Sequence, residues 1–450
     1  MTIPDGIFKA YDIRGLYPEE LDEDAAERIG CALAQQLGAT TVGAGMDPRP
    51  SSKGLLEAFA AGAAVGGAAT VDFGLVPTEM VYFGVASRGL GGGVMITASH
   101  NPPQYNGMKL VGEGALPLSG DQGIPELKQR SQAIAEMPAS AAGGAGYETV
   151  DLYPAYVEHL RALVDVSALM PYRVVMDAAN GVAGKLAPRV FEDTPIERVE
   201  LYFDVDGTFP NHEPNPLLEK NSREVRARVV AERADLGIAW DGDADRCFFI
   251  DEDGEFVPGD FVTALLAEAL LLKNPGASIL YDLRASRAVP DMITANGGVP
   301  LLNRVGHAFF KQRMRRDGAL FGGEVSGHYY FRDNYNADSG FIPALLILEL
   351  LSQKGATMAE LLEPLRSKYF ISGEINSTVA DAPAALARLE ARFADGEITK
   401  LDGISVDYPD WHFNVRASNT EPLVRLNLGA DSSELMEEKR DLVLGIIREG

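Results

Sequence analysis

The chain has 450 residues, which is too long for one hydrophobic core of ordinary size, so several domains are expected. Its residues are 46% hydrophobic and 23% charged, a composition typical of a folded soluble protein. The formal net charge of −25 sets a negative far field that repels nucleic acid and anionic membranes. We therefore expect no nucleic-acid partner and no membrane partner, and an anionic substrate would need a local cluster of cations.

The N-terminal residues and the most apolar segments bear on the cellular location of the protein. Residues 1–6 lack the basic and apolar regions of a secretory signal. The run Ile342–Leu351 is too short to span a membrane and contains a glutamate. Cys31 and Cys247 are far apart and fit no metal spacing, so we expect both to be buried small hydrophobes. We expect a cytoplasmic protein.

Short strand-like runs alternate with helical patterns along most of the chain. This alternation is typical of α/β domains, in which helices cover sheets. After residue 373 the pattern changes to strands with two helices, which indicates an α+β unit. The predicted strands include Thr41–Gly45, Arg173–Met176 and Ser278–Tyr281. The predicted helices include Ser52–Ala64, Ala183–Phe191, Arg287–Ala295, Pro383–Phe393 and Ser433–Arg448.

Three changes in composition mark candidate domain boundaries. Ala139–Gly146 is a linker of small residues, Asp251–Gly259 is an acidic turn after an apolar run, and a third break lies near Lys368–Gly373. These breaks predict segments 1–145, 146–250, 251–368 and 369–450.

The segment Gly91–Pro103 presents a serine in a constrained loop. A glycine run leads into the apolar residues Val94–Ile96, and two prolines restrict the exit of the loop. Ser99 could act as a nucleophile or carry a phosphate, with His100 beside it for charge or proton handling. Taken alone, the segment also fits an ordinary capped loop.

Asp241, Asp243 and Asp245 alternate with other residues between two apolar strand-like runs. In an extended loop their side chains would point the same way and converge on one cation. An EF-hand is excluded because Arg246 occupies the sixth position, where a Ca²⁺ loop needs glycine. A few carboxylates with positions left for phosphate oxygens fit Mg²⁺.

Two later loops carry recognition chemistry. Gly322–His328 combines glycines with a carboxylate, a hydroxyl and an imidazole, which suit sugar hydroxyls. The loop 416–422 offers a guanidinium, two hydroxyls and an amide, which suit a phosphate dianion. For each loop an ordinary turn explains the local sequence about as well.

These four loops, in this order, resemble the α-D-phosphohexomutase family, and most closely its phosphomannomutase/phosphoglucomutase branch. The match spans essentially the whole chain, and the motifs Thr97–Pro102 and Asp241–Arg246 are highly specific in combination. The resemblance implies four domains around a central cleft, three of related α/β topology and a fourth that is α+β. It implies a phosphosugar substrate and leaves the oligomeric state, monomer or dimer, open.

The resemblance also implies roles for individual residues. Ser99 would be the phosphoserine, and Mg²⁺ would bind Asp241, Asp243 and Asp245 together with an oxygen of the phosphate on Ser99. His100, Lys109 and Arg14 would complete the catalytic group, with Arg14 acting through its charge because arginine is a poor base. The expected substrate-binding residues are Tyr11, Arg246, Arg284, His307, Glu324, Ser326, His328, Arg416, Ser418, Asn419 and Thr420.

One position departs from the pattern of this branch. Arg284 stands where the branch usually has lysine, which replaces a compact ammonium group by a planar, bidentate guanidinium. This substitution bears on the sugar contacts rather than on the reaction.

The expected reaction is a two-step exchange. In the first step, phospho-Ser99 donates its phosphoryl group to the free hydroxyl of a hexose 1-phosphate, which gives a bound hexose 1,6-bisphosphate. This intermediate turns end for end and returns its other phosphate to Ser99, so that hexose 6-phosphate is released. Free hexose 1,6-bisphosphate would act as an activator. The alternatives are a phosphoglucosamine mutase, disfavoured by the apolar Val325, a dedicated phosphoglucomutase, a phosphosugar phosphohydrolase and, last, a non-enzymatic phosphosugar-binding protein.

Overall fold

The computed structural model describes residues 3–120, 122–135, 137, 146–417 and 423–449. The chain divides into two compact units. The first unit comprises Met1–Phe256 and His328–Gly355, and the second comprises Val257–Gly327 and Ala356–Gly450.

The first unit begins with a six-stranded sheet in the order β1-β5-β4-β2-β3-β6. β4 is parallel to β2 and antiparallel to β5, so the sheet is mixed. Its elements in chain order are β1 (Ile13–Leu16), α1 (Glu23–Leu37), β2 (Thr41–Met46), α2 (Ser52–Val65), β3 (Ala69–Leu75), α3 (Thr78–Ser87), β4 (Gly92–Ile96), β5 (Tyr105–Gly112), α4 (Ile124–Ala133) and β6 (Tyr147–Thr149).

Local sequence sets the ends and the packing of these helices. The side chain of Asp22 accepts a hydrogen bond from Ala25 N and caps α1, and Gly38 ends it in the left-handed conformation at φ 58°. α1 and α2 pack closely, because a Cβ on Gly62 would lie 1.7 Å from the Glu27 carbonyl oxygen.

A second sheet of the first unit contains the neighbouring strands β10-β9-β7-β8. β7 is parallel to β8 and β9, and β10 is antiparallel to β9. All five residues of β9 are buried, so its carboxyl end gives the following loop a rigid start. This region contains α5 (Tyr153–Leu163), β7 (Arg173–Asp177), α6 (Ala183–Val190), β8 (Glu197–Leu201), α7 (Glu219–Glu232), β9 (Leu236–Trp240), β10 (Cys247–Ile250) and β11 (Phe256–Val257).

The second unit begins with an α/β segment in which β12 is parallel to both β13 and β14. The segment contains α8 (Gly259–Lys273), β12 (Ser278–Asp282), α9 (Ala288–Ala295), β13 (Val299–Asn303), α10 (His307–Asp317) and β14 (Phe321–Gly323). The first unit then resumes with the antiparallel pair β15 (Tyr329–Phe331) and β16 (Ala337–Asp338) and with α11 (Phe341–Lys354).

α11 packs beneath the second sheet of the first unit. Trp240, the last residue of β9, stacks on Phe341 with ring centroids 4.9 Å apart. The Trp240 indole also donates to the Gly340 carbonyl oxygen at 2.8 Å. The end of β9 is therefore fixed by both apolar packing and a buried hydrogen bond.

The remainder of the second unit is α+β, as the sequence predicts. α12 (Met358–Arg366) precedes an antiparallel sheet in the order β17-β22-β21-β20-β19, with β18 also paired to β22. The elements are β17 (Phe370–Ile371), β18 (Ile375–Thr378), α13 (Ala382–Arg392), β19 (Glu397–Thr399), β20 (Ile404–Asp407), β21 (Trp411–Ala417), β22 (Leu423–Ala430) and α14 (Ser433–Arg448).

The predicted fold class is confirmed, and the predicted elements end within a residue or two of the observed ones. Cys31 and Cys247 are both buried. The boundaries after residues 145, 250 and 368 stay a prediction, and most of the linker Ala139–Gly146 lies outside the described residues. In the described part of the chain no single helix is long and apolar enough to cross a membrane, although α11 and α12 pass together on length and composition.

Candidate active site

Ser99 lies in the loop that follows β4. It is buried and has φ 51°, in the left-handed region that side chains rarely adopt. Its hydroxyl donates to Asp241 Oδ2 at 2.9 Å and lies 3.1 Å from His100 Nδ1. The structure therefore places the predicted nucleophile within hydrogen-bond distance of both the acidic cluster and an imidazole.

The side chain of Arg49 donates hydrogen bonds to the backbone of this loop. One Nη donates to the carbonyl oxygens of Ser99 at 2.9 Å and Asn101 at 2.7 Å. The other Nη donates to Pro102 O at 2.7 Å and Tyr105 O at 3.0 Å. A single guanidinium therefore satisfies four carbonyl groups and fixes the course of the chain around Ser99.

Asp47 completes this support. The side chains of Asp47 and Arg49 are fully buried and paired at 2.9 Å. Asp47 Oδ2 also accepts from the Thr97 hydroxyl at 2.8 Å, and Thr97 Oγ1 accepts from the Ser99 amide at 2.8 Å. Sequence reasoning missed both charged residues, although two opposite charges alternating with prolines shortly after the predicted strand Thr41–Gly45 were an available signal.

The three aspartates of the second loop converge as predicted, but not through an extended chain. Asp241, Asp243 and Asp245 are buried, and one carboxylate oxygen from each lies within 4.8 Å of the others. The prediction of an extended loop is wrong, because the loop turns. Ala244 has φ 57°, and its amide donates to Asp241 O at 3.1 Å.

Two cations sit against this cluster. Lys109 Nζ donates to Asp243 Oδ2 at 2.7 Å and also binds Asp245, while Arg246 Nε donates to Asp241 Oδ2 at 2.8 Å. The Thr78 hydroxyl adds a bond to Asp243 Oδ2 at 2.6 Å. When all three carboxylates are ionised, they carry one more charge than the two cations, so the ionised cluster has an unbalanced negative charge.

The buried charges shift the titration of their neighbours. Burial raises the pKa of Asp241 to about 7, with Arg246 opposing this shift and Asp243 reinforcing it. Burial acts against the charge of Lys109, but Asp243 and Asp245 outweigh it and hold its pKa well above the ordinary value. Lys109 is therefore a fixed positive charge.

The cluster has the properties of a metal site. Asp243 Oδ1 is buried and has no hydrogen-bond partner among the described residues, which leaves a ligand atom available inside the cluster. Asp245 also belongs to a second group of close ligand atoms with His328 and Asp338. Oxygen donors with unbalanced negative charge fit a hard divalent cation.

The other site residues predicted in the first unit make contacts of their own. Arg14 donates to Asn101 Oδ1 at 2.9 Å and to Asp12, next to the serine loop. His328 Nε2 lies 3.6 Å from Asp245 Oδ1. Tyr11 lies half-buried in the bend before β1.

His100 is held neutral by its surroundings. Burial lowers its pKa well below the ordinary value, and the positive charges of Arg246, Arg14 and Lys109 act in the same direction. A neutral imidazole can accept or pass on a proton at the Ser99 hydroxyl.

In the second unit, Asp282 organises the predicted sugar-binding loop. Its carboxylate accepts from Arg284 Nε at 3.1 Å and Nη2 at 2.7 Å, and from the Val325 amide at 2.9 Å. This bidentate pairing uses the planar guanidinium, which lysine could not reproduce. Sequence reasoning identified Arg284 but missed Asp282, two residues upstream.

The remaining predicted residues of this unit lie on three elements. Ser326 Oγ is 3.5 Å from Arg284 Nη2, and Glu324 accepts from the Gly306 amide at 2.9 Å. His307 begins α10, and Arg416 lies buried on β21. Ser418, Asn419 and Thr420 lie outside the described residues.

Comparison with known proteins agrees with this geometry. Four domain profiles described as phosphoglucomutase/phosphomannomutase match, namely alpha/beta/alpha domain I at residues 5–137, domain II at 154–254, domain III at 258–369 and the C-terminal domain at 374–445.

Full-length relatives agree as well. The chain is 46% identical over 452 residues to phosphohexose mutases of Xanthomonas campestris pv. campestris strain B100, covering 100% of both chains. It is 43% identical over 450 residues to a phosphomannomutase of Escherichia coli strain K12, covering 98% of this chain and 99% of the relative.

A crystal structure of a phosphoglucomutase/phosphomannomutase family protein from Burkholderia thailandensis has the same fold. It superposes with a TM-score of 0.89 at 36% identity, covering 100% of this chain and 99% of the other. The order of the loops, the four matched domains and the full-length identity lead to one conclusion. The chain belongs to the phosphoglucomutase/phosphomannomutase family.

Proposed function

We propose that this chain interconverts the 1-phosphates and 6-phosphates of mannose and glucose through a phosphoserine at Ser99. It is a phosphohexose mutase by its family and its full-length relatives. The observation that carries the role of Ser99 is its buried hydroxyl, 2.9 Å from Asp241 in a cluster of three carboxylates and two cations.

The charges around Ser99 are the reason for proposing a bound metal ion. A phosphate on Ser99 would add about two negative charges beside three buried carboxylates, which repel it. Mg²⁺ would be held by Asp241, Asp243 and Asp245, with a phosphate oxygen on Ser99 as a further ligand. When bound, Mg²⁺ polarises a phosphoryl oxygen and offsets the charge that develops during transfer.

The protein's own residues supply positioning and charge. Arg49 and Asp47 hold the serine loop, so the hydroxyl starts near its reactive position. Arg14 and Arg246 provide permanent positive charge. His100 Nδ1, 3.1 Å from Ser99 Oγ, is placed to accept the proton of the Ser99 hydroxyl when the serine takes the phosphoryl group back.

The second unit supplies recognition. Glu324 and Ser326 offer a carboxylate and a hydroxyl for sugar hydroxyl groups, with Arg284 fixed beside them by Asp282. Arg416, with Ser418, Asn419 and Thr420, is assigned to the phosphate that is not being transferred. Hexose 1,6-bisphosphate would be both intermediate and activator.

A coupled assay on mannose, glucose and glucosamine 1-phosphates, with and without Mg²⁺ and a 1,6-bisphosphate, tests the proposal. We expect turnover of the mannose and glucose substrates, and phosphate at Ser99 by mass spectrometry. Ser99→Ala should abolish interconversion. Ser87→Ala should not, because the Ser87 hydroxyl donates within its own helix, to Phe83 O at 2.6 Å.

Asp243→Asn should weaken the dependence on Mg²⁺. Near-normal turnover by Ser99→Ala, or an unchanged metal titration in Asp243→Asn, would rule out the assigned roles. Release of inorganic phosphate without isomerisation would indicate a phosphohydrolase, because a mutase must keep water from the phosphoserine.

A further inference from the structure

Arg416 and Arg425 form an unusual pair in the second unit. They are directly opposite each other on the antiparallel strands β21 and β22, so their side chains leave the sheet on the same face. Like charges in this register destabilise a sheet. An anion is therefore expected between them.

The carboxylate of Glu374, just before β18, takes that place. Its Oε1 lies 3.1 Å from Arg425 Nη1, and its Oε2 lies 3.9 Å from Arg416 Nη2. Oε2 is also 3.7 Å from Nη1 of Arg284. Glu374 therefore contacts three guanidinium groups. Arg284 is already paired with Asp282 at 2.7 Å, so Glu374 acts mainly as the counter-ion of Arg416 and Arg425.

The arginines have more donors than this carboxylate can satisfy. Nε of Arg416 and Nε of Arg425 are buried, and within the described ranges neither has a hydrogen-bond partner. Arg416 is only 9% exposed, and two of the three contacts with Glu374 exceed hydrogen-bond length. Leaving a buried N–H group without a hydrogen-bond partner is destabilising, so the cluster favours a ligand with more oxygens.

Solvent reaches the cluster from the side of Glu374. The side chains of Glu374 and Arg425 are 27% and 28% exposed, whereas that of Arg284 is 5% exposed. Glu374 and Arg425 are therefore the members that a ligand entering from solvent can reach, and of these two Glu374 carries the negative charge that a phosphate would replace.

We propose that Glu374 is an internal counter-ion that occupies a phosphate site formed by Arg284, Arg416 and Arg425, and that the phosphate of a sugar phosphate displaces it. Arg425 thereby becomes a phosphate-binding residue beside Arg416. The proposal rests on the proposed function, because it assigns a ligand to the same recognition residues.

The chemistry selects a dianion. A phosphate monoester carries three terminal oxygens and nearly two charges, and it can bridge two guanidinium groups in a bidentate manner. It therefore outcompetes the carboxylate, whereas a monoanion gains little by replacing one single charge with another. Glu374 thus discriminates against ligands without a phosphate group.

The test is calorimetric titration of mannose 1-phosphate and of inorganic phosphate into the Ser99→Ala protein, in which no transfer occurs. Adding Glu374→Gln should tighten the binding of mannose 1-phosphate about three- to tenfold, because the ion pairs that Glu374 makes are partly exposed and therefore weak. Adding Arg425→Met should weaken it roughly tenfold or more. Glu390→Gln is the control, because the side chain of Glu390 is exposed and pairs with exposed Lys400 at 2.7 Å.

Unchanged or weaker binding in Glu374→Gln would overturn the proposal, since Glu374 would then position the arginines instead of competing. Unchanged binding in Arg425→Met would overturn the assignment of Arg425. If the Ser99→Ala protein binds no sugar phosphate at all, the proposed function fails. If it binds normally and only the Glu374 effect is missing, the failure is confined to this inference.

Discussion

Replacing Arg49 by methionine tests whether the serine loop is held from below. The substitution keeps the apolar stem but leaves Asp47, 1% exposed, without its guanidinium partner. Breaking a buried pair in this way costs about 3–5 kcal/mol. Four carbonyl groups of the loop also lose their common donor.

Hydrogen exchange measures this cost locally, which suits a protein of several domains better than global unfolding. Protection of peptides covering residues 95–108 should fall by at least roughly 10²-fold, since 1.4 kcal/mol corresponds to a factor of ten. The value of kcat should also fall by roughly 10²-fold, because a displacement of about 1 Å at the reacting atom costs that much.

Two controls separate positioning from general damage. Arg49→Lys retains the charge without the planar fork and should recover part of the protection but little of kcat. Arg28→Met removes a pair at 2.8 Å with the half-exposed Asp24, so it should leave kcat and residues 95–108 unaffected. If Arg49→Met keeps normal protection and a kcat within twofold of wild type, Arg49 does not position Ser99.

Two further predictions concern buried charge. Burial raises the pKa of Glu79 to about 8 from 4.5, so stability should fall by about 5 kcal/mol as pH rises from 4.5 to 8 and then level off. Glu79→Gln can still accept a hydrogen bond from Gly340 N. Its melting temperature should therefore be higher than that of wild type at pH 8 and equal to it at pH 5. Melting temperatures that change in parallel with pH in the two proteins would contradict this prediction. Lys109→Met removes a cation 2.7 Å from Asp243, so Mg²⁺ should bind about tenfold or more tightly by calorimetry while turnover falls. Weaker Mg²⁺ binding would show that Lys109 supports the metal cluster instead of competing with the ion.

Much of the fold follows from local sequence. The predicted closing helix Ser433–Arg448 and the apolar run Cys247–Ile250 coincide with α14 and β10. Hydrophobic periodicity and capping act over a few residues, so they can be read without knowing the rest of the chain. The family motifs around Ser99 and Asp241 are likewise short and contiguous.

The tertiary structure decided what supports those motifs. Arg49 bonds carbonyl groups 50 to 56 residues away, and Ser99 meets Asp241 across 142 residues. The roles of Asp282 and Glu374 follow from the ion pairs that they form with arginines in the folded protein. Such partners are brought together by strand order and burial, which short-range patterns do not contain.

The sequence by itself determined the family, because the motifs around Ser99 and Asp241 are short and are specified by neighbouring residues. It misjudged how the aspartates converge, since a turn at Ala244 depends on the contacts of the whole loop. Only the tertiary structure decided which charges balance one another, because electrostatic interactions between buried groups depend on distances in space and not on spacing along the chain.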